Sequence, residues 1–131
     1  MLPVRYGFHT HLIDPIEEDC KQLIRKVKRL PNRIPVISSI KAEPIQEWSE
    51  DYLWEVIRYP VNFEQTVNRL LKRGEYIFID LGPSGSLATF VKYILASNSG
   101  STSLSLQAIN PFGNDLNSIE KLKAGLFSYA G

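Results

Sequence analysis

Tyr76-Ile77-Phe78-Ile79-Asp80-Leu81 runs directly into Gly82-Pro83-Ser84-Gly85-Ser86. Five of the first six residues are aromatic or aliphatic, the composition of a well-buried strand. The next five are turn formers, and an apolar helical pattern resumes from about Leu87 to Leu95. A strand that turns tightly into a helix is the repeating unit of an alternating α/β chain. The pattern continues on both sides. Asn98 to Ser103 is a polar linker, Leu104 to Ile109 alternates as a further strand, and Asp115 can cap a last helix carrying Leu116, Ile119, Leu122, Leu126 and Phe127. On the other side, Asn62 and Gln65 form a capping box for a helix whose inner face is Phe63, Val67, Leu70 and Leu71, with Gly74 as its stop.

Further toward the N-terminus, Ser49 caps a short helix over Tyr52, Leu53, Trp54, Val56 and Ile57, and Pro60 ends it. Ile34 to Ile40 is nearly continuously apolar and predicts a buried parallel strand. Asp14, Pro15 and Glu17 predict a helix start. From there Ile16, Cys20, Leu23, Ile24, Val27 and Leu30 form one apolar stripe that ends before Pro31. Val4 to Phe8 reads as a short strand. The expected architecture is α/β: a partial three-layer sandwich with a mostly parallel sheet flanked by helices.

The chain has 131 residues, enough for a single domain spanning 1–131. Fifteen Lys and Arg against fourteen Asp and Glu leave a net charge of +1, so the composition carries no footprint for nucleic acid or an anionic membrane. Cys20 stands alone, so an internal disulfide is impossible and a reducing, cytoplasmic setting fits. No apolar run approaches the roughly 20 residues of a membrane span, and the N-terminus lacks a signal-peptide pattern.

Two stretches invite chemistry. Gly7-Phe8-His9-Thr10-His11 lies at the end of the first expected strand, where catalytic groups of open α/β sheets gather. A histidine there can act as a general base, but spacing alone favours a turn residue satisfied by backbone groups. His9 and His11 have no third ligand at a recognisable spacing, so no metal is expected. The 82–86 turn lacks the final Gly of a nucleophile elbow and the Gly-Lys-Ser/Thr of a phosphate loop, and it reads as a turn that caps a helix. Trp48, Tyr52 and Trp54 read as packing or lid residues, and the basic face of the first helix as a solvated one.

Several of these stretches together resemble one family. Gly7-Phe8-His9-Thr10 looks like the Phe-His-Ser motif of malonyl-CoA:acyl carrier protein acyltransferases, the enzymes that load polyketide and fatty acid synthesis. Val36 to Ile40 is similar to that family's second-strand segment, Trp54 to Phe63 to its Trp…Leu-Arg-x-Pro-Val-x-Phe block, and Phe78 to Pro83 to its Phe-Ile-Glu-Val-Gly-Pro signature. The resemblance runs from about Val4 to the end and corresponds to the C-terminal portion of the hydrolase-like subdomain. It implies that His9 is the catalytic base, that the main-chain carbonyl of Val56 orients it, and that Phe8 favours malonyl over methylmalonyl units. It also implies a serine acyl-enzyme, acyl-CoA as donor, and the phosphopantetheine thiol of an acyl carrier protein as acceptor, with no bound cofactor. Thr10-His11 stands where Ser-Pro is commoner. The family's Gly-His-Ser-x-Gly does not occur in these residues. The expectation is therefore a fragment lacking the nucleophile-bearing half and inactive alone. It would partner with that missing N-terminal part, or with a second copy through exposed apolar surface. Two alternatives remain: a segment of an editing acyl hydrolase acting on carrier proteins, and a noncatalytic α/β binding module.

Overall fold

A computed structural model describes residues 7–109, 113 and 115–130. The chain divides into two compact units, Met1–Thr66 and Val67–Gly131.

The first unit is helical. Thr10 caps a short 3-10 helix, His11–Ile16, by accepting from the Leu12 N–H at 3.2 Å. Helix α1 follows at Glu17–Arg25, then α2 at Glu50–Arg58, and α3 at Phe63–Leu71 runs across the division between the units. Asp14 does not start an α-helix as expected; its carbonyl caps Glu17, and its carboxylate goes elsewhere. Nor does α1 reach Leu30. Leu23 and Val27 are 63% and 61% exposed, so extending the helix would bury nothing to offset its entropy. Lys26 and Val27 instead make tight i→i−3 bonds to Leu23 and Ile24, which close the last turn.

Ion pairs link α1 to α2, and of the expected apolar stripe only Cys20 and Ile24 are half-buried, Ile16, Leu23, Val27 and Leu30 being exposed. Arg25 reaches both carboxylate oxygens of Glu50 at 2.8 Å, and Lys21 bridges Glu17 and Asp51 at 2.7 and 2.6 Å. Hydrogen bonds from Arg25 and Lys21 hold the carboxyls of Glu50 and Asp51 below their ordinary range. A depressed folded-state pKa stabilises above the unfolded value, near 4, and that contribution disappears as pH falls through the folded value. Acidification from neutrality to about pH 3, or high salt at neutral pH, is therefore expected to lower amide protection in α1, measured against the unstructured exchange rate at the same pH, before the rest of the unit. Equal loss of protection across the unit would show that these pairs hold nothing.

The strand expected over Ile34–Ile40 is absent. Val36 to Ser38 turn back on Glu43 to Ile45 through one antiparallel bridge, Ile37 to Pro44, with Ser38 N–H on Glu43 O and Ile45 N–H on Val36 O. The physical reason is local. The Ser38 hydroxyl accepts from the N–H groups of both Ile40 and Lys41, which curls the chain where a strand would run on. Ala42, buried with φ of +54°, closes this turn. Residues 4–6 of the first expected strand lie outside the described residues, and Gly7 and Phe8 lie in a turn.

The second unit carries the alternation read from the sequence. Strands β1 (Ile77–Asp80) and β2 (Leu104–Gln107) pair in parallel, with Ile77 opposite Leu104 and Asp80 opposite Gln107. Helix α4, Ser86–Ala96, makes the crossover and buries Ala88, Val91 and Ile94. Helix α5 spans Asp115–Ala130 and packs against β2. The 82–86 stretch is a tight turn into α4, as expected, but no serine holds the helix cap: Gly85 takes the cap position and makes no side-chain cap bond. Asp80, only 7% exposed, accepts from Gly82 N–H at 2.8 Å and from Ala88 N–H at 3.0 Å, so one carboxylate ties strand, turn and first helical turn together. Glycine suits position 85 because its φ is +63°, a conformation that side-chain-bearing residues rarely adopt. No helix among the described residues is long and apolar enough to cross a membrane.

Candidate active site

His9 is placed by the end of α2. Pro60 cannot continue that helix, so carbonyls in its last turn lack intrahelical partners. His9 takes two of the carbonyls left at this end. Its backbone N–H donates to Ile57 O at 2.9 Å, and its Nδ1 lies 2.8 Å from Tyr59 O. A carbonyl only accepts, so Nδ1 carries the proton in the neutral ring, and Nε2 keeps its lone pair free to take one. This is the tautomer a general base needs.

The backbone that presents this ring is unusual. His9 has φ of +62°, in the left-handed region that histidine visits more readily than bulkier residues. The turn holding it is compact: the Thr10 hydroxyl donates to Gly7 O at 2.6 Å. A Cβ at Gly7 would meet Thr10 Oγ1 at 2.9 Å, so the close approach needs glycine. A non-glycine left-handed residue costs on the order of 1 kcal/mol and persists only where its surroundings demand it.

Phe8 precedes the ring and is 47% exposed, and His11 follows in the 3-10 helix. The carbonyl expected from Val56 corresponds to a different residue. The acceptor is Tyr59, three positions on, because the chain leaves helical geometry at Tyr59 (ψ of 153°) and turns its carbonyl toward His9. The signal that would have located it was Pro60, which marks where free carbonyls begin. The sequence reading also missed Arg58, whose guanidinium holds the Asp14 carboxylate through Nε and Nη2. That hydrogen bond raises the pKa of Arg58, against a smaller opposing effect of desolvation. Among the described residues, no three His, Cys, Asp or Glu side chains converge as a metal site.

No family model matches the chain. Individual proteins do. It is 33% identical over 123 residues to the polyketide biosynthesis acyltransferase homolog PksD of Bacillus subtilis (strain 168), covering 94% of this chain and 37% of that protein. It is 32% identical over 95 residues to the malonyl CoA-acyl carrier protein transacylase of the same organism, covering 71% of this chain and 30% of that protein. The chain's homologues are thus polyketide biosynthesis acyltransferases and malonyl CoA-acyl carrier protein transacylases, each matched over part of its length. The fold agrees. The solved malonyl CoA-acyl carrier protein transacylase of Clostridium perfringens superposes with a TM-score of 0.77 at 27% identity, over 98% of this chain and 38% of that one. The chain thus spans well under half the length of the acyltransferases it matches.

Proposed function

We propose that this chain supplies the histidine base of an acyltransferase that moves a malonyl-type acyl group from CoA to the phosphopantetheine thiol of an acyl carrier protein in polyketide biosynthesis. The observation that carries the reading is the Nδ1 contact of His9 with Tyr59 O, which leaves Nε2 as the proton acceptor. In the first half-reaction Nε2 takes the proton of a serine hydroxyl as its oxygen attacks the thioester carbonyl. The carbon–sulfur bond breaks, and the CoA thiolate leaves with that proton. In the second half-reaction Nε2 takes the thiol proton of the carrier protein, the sulfur attacks the seryl ester, and the serine oxygen recovers the proton. Phe8, next to His9, is proposed to favour malonyl over methylmalonyl units. CoA and phosphopantetheine enter as substrates, and no further cofactor takes part.

The nucleophile is proposed to come from the rest of the acyltransferase domain. The exposed Leu81, Phe90 and Tyr93 offer that part an apolar surface to cover, or a second copy when it is absent. Incubation with labelled malonyl-CoA tests the assignment. The full-length protein is expected to carry one label on a serine outside these residues, and the 131-residue chain to stay unlabelled. A stoichiometric label on the chain alone would overturn it.

A further inference from the structure

We propose that Arg58 and Asp14 are positioning residues that hold the His9 imidazole in its base-competent tautomer. This rests on the reading of His9 as the base and extends it to two residues that touch neither substrate nor reacting atoms. His9 sits in an exposed turn with an uphill backbone conformation, so the turn needs ties from outside itself. The described contacts supply them at one place. Ile57 O and Tyr59 O receive the backbone and ring of His9, and Arg58, between those two residues, grips Asp14 in the 3-10 helix that follows His9.

Arg58 is itself well fixed. Its guanidinium donates to both oxygens of Asp14, the Nη2 contact being 3.3 Å, and its carbon centre lies 5.4 Å from the centroid of the Tyr59 ring. Its side chain is 20% exposed, while that of Asp14 is 49% exposed, so the pair is half open to solvent and draws its definition from the two-point contact. The same guanidinium thus ties down the residue whose carbonyl selects the tautomer and the segment that carries the imidazole. Without it, the 2.8 Å contact of Nδ1 depends on a strained turn alone, and Nε2 protonation of the neutral ring becomes competitive.

The test reads the imidazole directly. Full-length protein labelled with 15N-histidine, assigned with the help of His11→Gln, is examined by long-range proton–nitrogen correlation at a pH where the ring is neutral. His9 is expected as the Nδ1-protonated tautomer in the parent and as a mixture in Arg58→Met. The kcat for acyl transfer should fall about tenfold with KM nearly unchanged, since a misplaced base weakens the chemical step and not substrate binding. The exchanged pair Asp14→Arg with Arg58→Asp should restore both readouts. If Arg58→Met does not fold, Asp14→Asn carries the same two measurements. A single parental tautomer in these variants overturns the proposal, whether or not kcat falls. Failure of the underlying reading looks different: His9→Ala would then transfer at the parental rate, whatever the tautomer does.

Discussion

On the proposed function, His9→Ala is expected to lower acyl transfer to the carrier protein by about a thousandfold, within the range that a positioned general base contributes. The size follows from how often the ring works. Each half-reaction needs a proton taken from a hydroxyl or thiol at the moment it attacks, and returned to the leaving group. At neutral pH an unassisted serine hydroxyl is a poor nucleophile, so both halves slow together. The substitution should hardly unfold the protein. His9 is exposed, and its side chain contributes one hydrogen bond, of about 1 kcal/mol at most. The loss should therefore appear in kcat, with the circular dichroism spectrum unchanged. His11→Ala is the matched control, because His11 is also exposed and lies only two residues away in the 3-10 helix. Transfer of label from malonyl-CoA to the carrier protein measures both variants. A parental rate in His9→Ala would make His9 a turn residue satisfied by backbone groups. Equal losses in both variants would point to a damaged turn and not to a missing base.

The parts of the fold that were legible are those where local chemistry and tertiary demand agree. Tyr76 to Leu81 is strand-forming, the turn after it is built from Gly, Pro and Ser, and α4 follows with its buried Ala88, Val91 and Ile94; nothing competes with that outcome. Where the reading failed, a competitor was present. Val36-Ile37-Ser38-Ser39-Ile40 has the hydrophobicity of a buried strand, but one hydroxyl, that of Ser38, captures two backbone N–H groups and turns the chain. The stripe from Ile16 to Leu30 has helical spacing, but spacing does not reveal whether anything covers it, and here only Cys20 and Ile24 are half-buried, beside ion pairs to Glu50 and Asp51. At the site, the turn that carries His9 was legible from its neighbours in sequence as one of two open readings. The acceptor of the His9 ring was not, because a carbonyl has no residue identity. Which carbonyl turns outward depends on the backbone angles at Tyr59, and the sequence shows only that Pro60 must end the helix nearby.

The largest expected loss of stability comes from Asp80→Ala, about 3 kcal/mol in urea unfolding of the protein. Asp80 is buried, and its two oxygens accept from Gly82 N–H at 2.8 Å and Ala88 N–H at 3.0 Å. Hydrogen bonds to a charged acceptor contribute about 1.5–3 kcal/mol each, and an abandoned donor near the core costs about 1–3 kcal/mol. The two losses share one side chain, so they combine to less than their sum. Geometry adds to the effect. Gly85, at the helix cap position, has no side chain with which to satisfy the first amides of α4, so the carboxylate of Asp80 acts as that cap from across the turn. Asp80→Asn separates the contributions. Its amide offers one carbonyl oxygen but points an NH2 at the second N–H, so it should lose roughly half as much. An unchanged m-value in both variants would assign the loss to the native state. A loss below about 1 kcal/mol in Asp80→Ala would mean that water replaces the carboxylate at both amides, and that the strand, turn and helix of this unit hold together without it.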